Sequence, residues 1–432
     1  MKLKIRLIIM NFLQFAVWGA YLTSMGSYLV SVGMAENIGW FYAVQGIVSI
    51  FMPTLVGIVA DRWIPAQKVL SLCHGLAGAL MLAAGMYGLG TPNPEFGTLF
   101  TLYSLSVGFY MPTLALSNSV AYSALNGAGM DTVKAFPPIR VFGTIGFICA
   151  MLLTDALGFQ ANANQLVFSG ALSLVLCLYA LTLPACKVNK EVEKKSLIDT
   201  LGLRAFALFK QKKMAIFFIF SMLLGVSLQI TNGFANSFIT SFKNIPEFAN
   251  TFGANHANAL ISLSQVSETL CILLIPFCLK RFGIKRVMLI AMFAWVLRFG
   301  LFGLGNPGSG LWMFILSMSV YGVAFDFFNI SGSLYVNENT SGEMRSSAQG
   351  LFMIMTNGIG ATVGTLGAQA VVNHLVPATQ SVDGVVTNGL SVVEGWSTTW
   401  LAFAGYALVV ALLFMVLFRY KHDTNKQMDI NH

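Results

Sequence analysis

Four formally charged side chains lie well inside long apolar segments of this 432-residue chain: Arg140, Glu268, Arg298 and Asp326. A charged group at the centre of a bilayer costs about 2.5–3.5 kcal/mol on insertion scales, so it needs a compensating partner or a function. Asp326 stands in the run 321–332, one of the most apolar parts of the chain. Two acids and two bases fit mutual pairing, and we interpret them as candidate functional residues; the alternative is a purely structural ion pair between Arg298 and Asp326.

Polar and aromatic side chains recur around these charges at spacings that place them on single helix faces. Any one such pair can hold two membrane helices together. Amides and aromatic rings that recur in both halves of the chain fit the lining of a polar cavity better. The faces comprise Asn11, Gln14, Trp18 and Tyr21; Arg140, Thr144 and Phe147; Gln229 and Asn232; Gln265 and Glu268; Tyr321, Phe325 and Asn329; and Gln349 and Asn357.

The chemistry of this set favours a neutral ligand that carries a flat ring and hydroxyl groups. Amides and carboxylates hydrogen-bond to hydroxyls and base edges, and aromatic side chains stack on flat rings. No extended positive cluster suits a phosphorylated ligand, so nucleosides or sugars fit. No HExxH, Gly-rich phosphate loop or nucleophile elbow indicates an intramembrane enzyme, and we expect no metal or cofactor. His74 is predicted to be a packed helix residue rather than a ligand.

The elements that must position these residues are membrane-spanning helices. The chain is 56% hydrophobic and 10% charged, whereas soluble domains carry about 25% charged residues. A spanning helix needs about 20 mostly apolar residues. The sequence therefore predicts an all-α membrane protein with twelve transmembrane helices. They are placed at 7–33, 38–60, 68–89, 97–125, 138–158, 165–184, 214–241, 257–279, 286–305, 309–336, 346–372 and 397–418.

The N-terminal sequence MKLKIRLIIM has the positive charge of a signal peptide. The apolar run that follows continues to about Gly33 without a small-residue cleavage site, so we interpret it as a retained first span. The six cysteines fall in apolar segments or at their edges, which predicts no disulfide framework.

The basic residues predict the orientation of the chain. If the N-terminus is cytoplasmic, all of the 25 Lys and Arg residues but three fall in segments on the cytoplasmic side of the membrane. The three exceptions are Arg140, Lys243 and Arg298. Because Lys and Arg concentrate in cytoplasmic loops, both termini are predicted to be cytoplasmic. The net charge of +8 then reflects orientation, and nucleic-acid binding is not expected.

The longest predicted loop divides the chain into two halves. We predict an N-terminal six-helix bundle at 1–184, a cytoplasmic linker at 185–213, a C-terminal six-helix bundle at 214–418 and a cytoplasmic tail at 419–432. The linker is interpreted as a solvated connection with a surface helix rather than a regulatory element. The loop 373–396 is expected to be irregular.

Loops after the second and eighth spans form a weak internal repeat about half the chain apart, which is typical of transporters. They resemble the cytoplasmic loop motif G-x-x-x-D-R-x-G-R-K of the major facilitator superfamily. The first loop keeps Gly57, Asp61 and Arg62, whereas the second keeps Arg281 and Gly283 but lacks the acid. We expect Gly57 to permit close helix approach. The resemblance implies a latch on the inward gate, and the alternative is a charged turn that only sets topology.

Longer strings carry a closer resemblance. FPPIRVFGTIGFI (136–148), AIFFIFSMLLGVSLQITNGF (215–234), SQVSETL (264–270), YGVAFDFFNISGS (321–333) and SAQGLFMIMTNGIG (347–360) resemble the nucleoside:proton symporter family of the major facilitator superfamily. The resemblance spans nearly the whole chain and fades in the central loop, the 373–396 loop and the C-terminal tail.

This resemblance implies proton-coupled import of nucleosides across the bacterial inner membrane by alternating access, with a midplane substrate site between the two bundles. Asp326 becomes the first candidate for proton coupling, with Arg298 as its partner and Glu268 as the second candidate. The implied partners are a nucleoside, a proton and the lipid bilayer, and a monomer is expected. The matching substrate-binding positions are Arg140, Thr144, Phe147, Gln229, Asn232, Gln265, Glu268, Tyr321 and Phe325.

Two other interpretations stay open at this point. The chain could be a proton-coupled symporter for sugars or free nucleobases, which competition of uridine uptake would distinguish. It could also be a nutrient sensor on the same fold that no longer transports, which a flux assay would distinguish.

Overall fold

The computed structural model of the protein describes residues 2–186, 203–341, 344–383 and 385–420. The chain forms two compact units, Met1–Leu201 and Gly202–His432. Most of the predicted linker and of the predicted cytoplasmic tail lies outside the described residues, so the domain boundaries stay a prediction.

The described part of the first unit is built from helices. Within it, α1 packs along α6, and α4 packs against α5 and α7. The helices are α1 (Lys2–Gly19), α2 (Met25–Ser31), α3 (Ile38–Arg62), α4 (Ala66–Gly90), α5 (Phe96–Gly127), α6 (Thr132–Ala156) and α7 (Asn164–Ala180), with a short 3-10 turn at Ala35–Asn37.

The second unit is also mainly helical, and α13 packs against both α11 and α12. Its helices are α8 (Lys212–Leu228), α9 (Ile230–Ser241), α10 (Phe252–Asn255), α11 (Ala257–Ile272), α12 (Ile275–Leu304), α13 (Leu311–Asn339), α14 (Arg345–Met353), α15 (Ala361–Leu375) and α16 (Gly389–Leu417). Short 3-10 helices occupy Leu203–Lys210 and Phe242–Asn244, and a π-helical segment, Ile354–Gly360, joins α14 to α15. Strands β1 (Ser381–Val382) and β2 (Val385–Val386) pair antiparallel, with Ser381 opposite Val386.

Nine helices in the described part of the chain are long and apolar enough to cross a membrane. The multi-pass helical architecture is therefore confirmed, and the number of twelve spans stays a prediction. Three predicted spans are absent from the nine, two because their helices are short and the third because its first helix carries Lys2, Lys4 and Arg6. The span 7–33 is split between α1 and α2, 165–184 holds the 17-residue α7, and 257–279 holds the 16-residue α11 followed by the start of α12.

The break between α1 and α2 leaves backbone carbonyls without helical partners. The Thr154 hydroxyl of α6 donates to the carbonyl of Ala20 at 2.9 Å, and the Tyr42 hydroxyl of α3 donates to the carbonyl of Leu22. Freed backbone groups at membrane depth need such partners from neighbouring helices. Side chains of α3 and α6 therefore stabilise the interruption.

Gly283 interrupts α12 at the predicted loop between the eighth and ninth spans. Its φ of 75° and ψ of 165° are not helical, and this backbone region suits glycine because it has no Cβ. Two helical stretches therefore meet at Gly283, in agreement with the loop predicted there.

The segment 373–396, expected to be irregular, is shorter than predicted. Helix α15 continues to Leu375 and α16 already begins at Gly389, so only the stretch around the β1–β2 hairpin is non-helical. The sequence-based boundary was wrong because the Ser, Thr and Glu residues of 391–398 lower the hydropathy of the first turns of α16. All six cysteines are free thiols.

Gly322 lets α13 approach α11 closely. A Cβ placed on Gly322 would lie 2.5 Å from the carbonyl oxygen of Ser267 and 2.8 Å from the Cβ of Cys271. The Ser267 hydroxyl also accepts the Gly322 backbone N–H at 3.2 Å. The backbones of the two helices therefore touch one turn before Asp326.

We expect Gly322→Ala to lower the apparent Tm of the purified protein in detergent by several degrees. Overpacking of a closely packed contact costs about 1–3 kcal/mol. Gly300→Ala on α12 is the matched control, because a Cβ there meets nothing within 4 Å. The control should keep or raise the Tm, since Ala is favoured over Gly in a helix by roughly 0.5–1 kcal/mol. Equal shifts in the two variants would contradict a steric constraint at Gly322.

Candidate functional site

Arg298 of α12 is the centre of a polar cluster in the second unit. Its side chain is only 2% exposed. Nη1 donates to the carbonyl of Ser317 at 2.7 Å, and both terminal nitrogens reach the Ser264 hydroxyl at 3.4 Å. The Ser317 hydroxyl in turn donates to the carbonyl of Arg298 at 2.9 Å. The guanidinium therefore links α11, α12 and α13.

The same guanidinium lies over two aromatic rings, those of Tyr321 and Phe302. Its carbon is 4.6 Å from the ring centroid of Tyr321 and 5.5 Å from that of Phe302. Tyr321 stacks on Phe325 one turn later, with centroids 5.6 Å apart and an interplanar angle of 15°. Trp295 meets the Tyr321 ring edge-on at 6.0 Å. Cation–π attraction of this kind is worth about 2 kcal/mol or more when desolvated, so Arg298 fixes the position of the Tyr321 ring.

Asp326 is 6% exposed and lies next to Phe325 in sequence. Its Oδ2 has no hydrogen-bond partner among the described residues. The described part of the chain contains no ion pair between Asp326 and Arg298, whose terminal nitrogens are directed at Ser317 and Ser264. A second acid, Glu268 of α11, lies near enough to Asp326 to act on it as a like charge. Asp326 is thus a buried acid without an ion-pair partner in the described part of the chain.

The predicted polar residues of α11 and of the α8–α9 break are half-buried. Gln265 and Glu268 stand one turn apart on α11, the helix that also carries Ser264. Gln229 separates α8 from α9, and the Asn232 amide donates to its Oε1 at 2.9 Å. These side chains remain partly accessible and can hydrogen-bond to a ligand.

The remaining predicted substrate residues belong to α6 in the first unit. The guanidinium carbon of Arg140 lies 3.9 Å from the centroid of Phe15 on α1. Thr144 is half-buried, and Phe147 is 6% exposed and packs edge-on against Trp18 with centroids 6.2 Å apart. Arg140, Thr144 and Phe147 therefore share the side of α6 that faces the end of α1.

The residues of the predicted gate motif are only partly described. Gly57 lies in α3, and a Cβ placed there would meet nothing within 4 Å. The expectation that Gly57 permits close helix approach was wrong for this structure, because no atom of a neighbouring described element lies within 4 Å of that Cβ. The side chains of Asp61 and Arg62 lie outside the described residues, so their latch role stays a prediction.

Sequence reasoning missed much of a second polar network, in the first unit. His74 is fully buried, as predicted, and its ring nitrogens contact the Ser173 hydroxyl at 2.9 Å and the Gln14 Oε1 at 2.8 Å. Gln45 of α3, also buried, accepts from the indole N–H of Trp18 at 3.3 Å. An isolated amide inside the apolar run 38–60 was the available signal for Gln45.

Each unit thus contains aromatic rings in contact with buried polar groups. Half-buried amides and a carboxylate accompany them in the second unit, and the half-buried Arg140 and Thr144 in the first. This arrangement can bind a small flat ligand with hydroxyl groups and can hold or release a proton at a buried carboxyl.

A family model described as nucleoside H+ symporter matches residues 1–423 of the chain. The nucleoside permease NupG of Escherichia coli K12 is 47% identical over 425 residues, covering 98% of this chain and 97% of that protein. The chain belongs to the nucleoside:proton symporter family of the major facilitator superfamily. The xanthosine permease of the same organism is 46% identical over 430 residues, covering 99% of this chain and 98% of that protein.

Solved structures agree with this family assignment. The crystal structure of NupG aligns with a TM-score of 0.87 at 47% identity, covering 98% of this family member and all of that chain. A bacterial homologue of the human lysosomal transporter Spinster aligns with a TM-score of 0.70 at 14% identity, covering 98% of each chain, and shows that the fold is shared with other transporters. This family member is therefore a multi-pass membrane transporter and not an enzyme, which excludes the intramembrane-enzyme interpretation.

We expect Arg298 and Tyr321 to be energetically coupled and Arg298 and Asp326 to be nearly independent. Arg298→Lys keeps the charge but loses the planar group that bonds Ser317 and Ser264 and covers the ring, so it should lower the apparent Tm. In a double-mutant cycle, Tyr321→Leu should weaken the effect of Arg298→Lys, by a coupling of roughly 0.5–2 kcal/mol.

The comparison variant for this cycle is Asp326→Asn, measured by the same thermal unfolding. The Arg298→Lys effect should be additive with Asp326→Asn, because no ion pair joins the two residues in the described part of the chain. Strong coupling of Arg298 to Asp326 and none to Tyr321 would support the ion pair suggested by the sequence. It would contradict the assignment of Tyr321 as the partner of Arg298.

Proposed function

We propose that the protein imports nucleosides together with protons across the bacterial inner membrane by alternating access. Both termini are taken as cytoplasmic and the working unit as a monomer. The prediction of a midplane substrate site between the two bundles is part of this proposal. Membership of the nucleoside H+ symporter family supports it, as do relatives named nucleoside permease and xanthosine permease.

The observation that carries the proposal is the stacked pair of Tyr321 and Phe325 beside the buried carboxyl of Asp326. The aromatic pair offers a flat apolar surface to a base or sugar. The carboxyl next to it has an oxygen without a hydrogen-bond partner among the described residues. A ligand surface and a proton site would then share one turn of α13.

The neutral charge of a nucleoside explains why a proton is needed. Membrane potential exerts no force on a neutral solute, so its accumulation requires another source of free energy. One proton moving inward carries one charge, worth about 2.3 kcal/mol per 100 mV. Asp326 is our first choice as the proton carrier because Arg298, directed at Ser264 and Ser317, leaves it without a permanent counter-ion. Glu268 is the second choice.

The other predicted residues are assigned to recognition. In this proposal Gln229, Asn232 and Gln265 donate to and accept from the ribose and base, and Glu268 accepts from the ribose hydroxyls. Arg140, Thr144 and Phe147 contribute from α6, where Phe147 flanks the base or sugar. Their half-buried or ring-packed positions support these roles.

Uptake of radiolabelled nucleoside into proteoliposomes tests the proposal as a whole. With an inward proton gradient the wild-type protein should accumulate nucleoside, and an uncoupler should abolish the accumulation. Excess free ribose or free base should compete poorly with uridine. Absence of any flux would favour the sensor interpretation, and strong competition by sugars or bases would favour the alternative substrates.

We expect Asp326→Asn to abolish proton-driven accumulation while some nucleoside binding remains. The amide is similar in size to the carboxyl but cannot carry the proton. Accumulation under an imposed gradient, and binding by calorimetry, measure the two parts separately. Glu247→Gln is the control, because Glu247 is an exposed acid of the second unit and should keep wild-type uptake. Wild-type pH-dependent accumulation in Asp326→Asn would remove this residue from the coupling role.

We expect Glu268→Gln to weaken nucleoside binding by roughly tenfold or more, because hydrogen bonds to a charged group contribute about 1.5–3 kcal/mol. Calorimetric Kd values for uridine, compared with the 2′-deoxy analogue, measure the effect. The loss should be smaller for the analogue, which lacks one of the hydroxyls assigned to Glu268. An unchanged Kd in this variant would count against a ligand role.

A further inference from the structure

We propose that Trp18, held in place by Gln45, positions the Phe147 ring and thereby determines which nucleoside bases the protein prefers. Trp18 and Gln45 are positioning residues in this proposal, and Phe147 is the ligand contact. The inference rests on the proposed function, in which Phe147 flanks the bound nucleoside.

Trp18, at the end of α1, is the meeting point of two aromatic contacts. Its ring meets Phe147 of α6 edge-on, with centroids 6.2 Å apart and an interplanar angle of 88°. It also meets Tyr110 of α5 at 6.3 Å, and the Tyr110 hydroxyl is bound to the carbonyl of Gln14 on α1 at 2.7 Å. The side of Phe147 that faces α1 is therefore closed by Trp18.

Gln45 fixes the orientation of the indole. Its Oε1 accepts the Trp18 N–H at 3.3 Å, and its amide donates to the Tyr103 hydroxyl at 2.9 Å. Gln45 is only 2% exposed, and a buried amide without hydrogen bonds is costly. Because both ends of the amide are bound, Gln45 cannot turn without losing a bond, and Trp18 is held at one angle.

The backbones of α1 and α6 leave the Phe147 side chain as the main element that can move. A Cβ on Gly19, the residue after Trp18, would overlap the carbonyl oxygen of Phe147. The two backbones are therefore in direct contact at this level and cannot move closer. Any change in the indole angle is then transmitted to the Phe147 ring rather than absorbed by a helix shift.

A displaced ring changes the width of the space beside it, which affects large and small bases differently. Purine and pyrimidine nucleosides differ by one fused ring, so a wall that moves alters their affinities unequally. A residue that only supports the fold would instead lower the Tm or the amount of active protein and leave the ratio of the KM values for purine and pyrimidine nucleosides unchanged.

Two relatives that are 47% and 46% identical to this chain carry different names, nucleoside permease and xanthosine permease. Overall identity therefore does not by itself indicate which nucleoside is preferred.

The test measures proton-driven uptake of adenosine and of uridine by proteoliposomes containing Gln45→Leu. We expect the two KM values to change unequally, so that their ratio shifts by roughly 3- to 30-fold, within the range of small pocket changes. Vmax per folded protein should stay within about twofold, the pattern of altered binding rather than altered turnover. Ser49→Ala is the control on the same helix, because the Ser49 hydroxyl donates to the Gln45 carbonyl at 2.6 Å and to no other group among the described residues. This variant should keep both KM values.

Two further variants show whether the effect travels through the proposed contacts. Trp18→Phe removes the indole N–H but keeps a ring, so it should shift the ratio of the adenosine and uridine KM values in the same direction as Gln45→Leu. The double variant should shift the ratio little further than either single variant. In a Phe147→Leu background, Gln45→Leu should no longer change the ratio. Trp18→Phe also serves as the independent variant if Gln45→Leu fails to fold.

An unchanged KM ratio in both Gln45→Leu and Trp18→Phe would overturn the inference, as would full additivity of Gln45→Leu with Phe147→Leu. These outcomes differ from a failure of the proposed function, in which the wild-type protein takes up neither nucleoside. Wild-type uptake with an unchanged ratio in the variants would remove the positioning role alone.

Discussion

Polar groups inside apolar helices must find their partners within the protein, and the structure of both units follows from this constraint. Water cannot satisfy a carbonyl or a guanidinium at membrane depth, so an unsatisfied group there costs several kcal/mol. The two terminal nitrogens of Arg298 meet the constraint through the Ser317 carbonyl and the Ser264 hydroxyl, and the guanidinium lies over the face of Tyr321. Its Nε has no hydrogen-bond partner among the described residues. Ser264, Ser317 and Tyr321 lie on α11 and α13, so the contacts of one charge fix three helices and the aromatic ring between them.

The same constraint explains why the interruption between α1 and α2 has side-chain partners, and residues proposed to be functional lie near such interruptions. The carbonyls of Ala20 and Leu22, freed between α1 and α2, are bound by hydroxyls from α6 and α3. This break begins at Ala20, two residues after Trp18. In the second unit the interruption between α8 and α9 is Gln229 itself. An interrupted helix exposes polar atoms that a continuous one would use internally, so ligands and neighbouring side chains can use them.

The sequence predicted the parts of the fold and of the site that depend on residue type alone. Long apolar runs identify spanning helices, and charges within them identify Arg140, Glu268, Arg298 and Asp326 as exceptional.

The interruptions at 20–24 and at Gln229 were not predicted, because hydropathy averaged over a span is insensitive to a few non-helical residues. The partner of Arg298 was not predicted either. Opposite charge suggested Asp326 as the partner of Arg298. In the structure the guanidinium bonds the Ser317 carbonyl and the Ser264 hydroxyl instead, and no charge pattern distinguishes these two serines from the others in the sequence. Gly57 and Gly322 look alike in sequence, and only the neighbouring backbone at Gly322 gives a glycine there a steric reason.

The position of Arg298 bears on how a proton and a neutral solute can be coupled. A carboxylate in a tight ion pair with a buried arginine would be held in its charged form whatever happened beside it. Asp326 has no such partner in the described part of the chain, and its Oδ2 has no hydrogen bond there. A ligand that approached Glu268 and the Tyr321–Phe325 pair would therefore act on a carboxyl that no ion pair holds in its charged form. If a nucleoside binds there, it changes the surroundings of both carboxyls, and by thermodynamic linkage protonation changes the affinity for the nucleoside by the same factor. Coupling then requires no long pathway between separate sites, because the aromatic surface and the two acids lie on adjoining turns of α11 and α13.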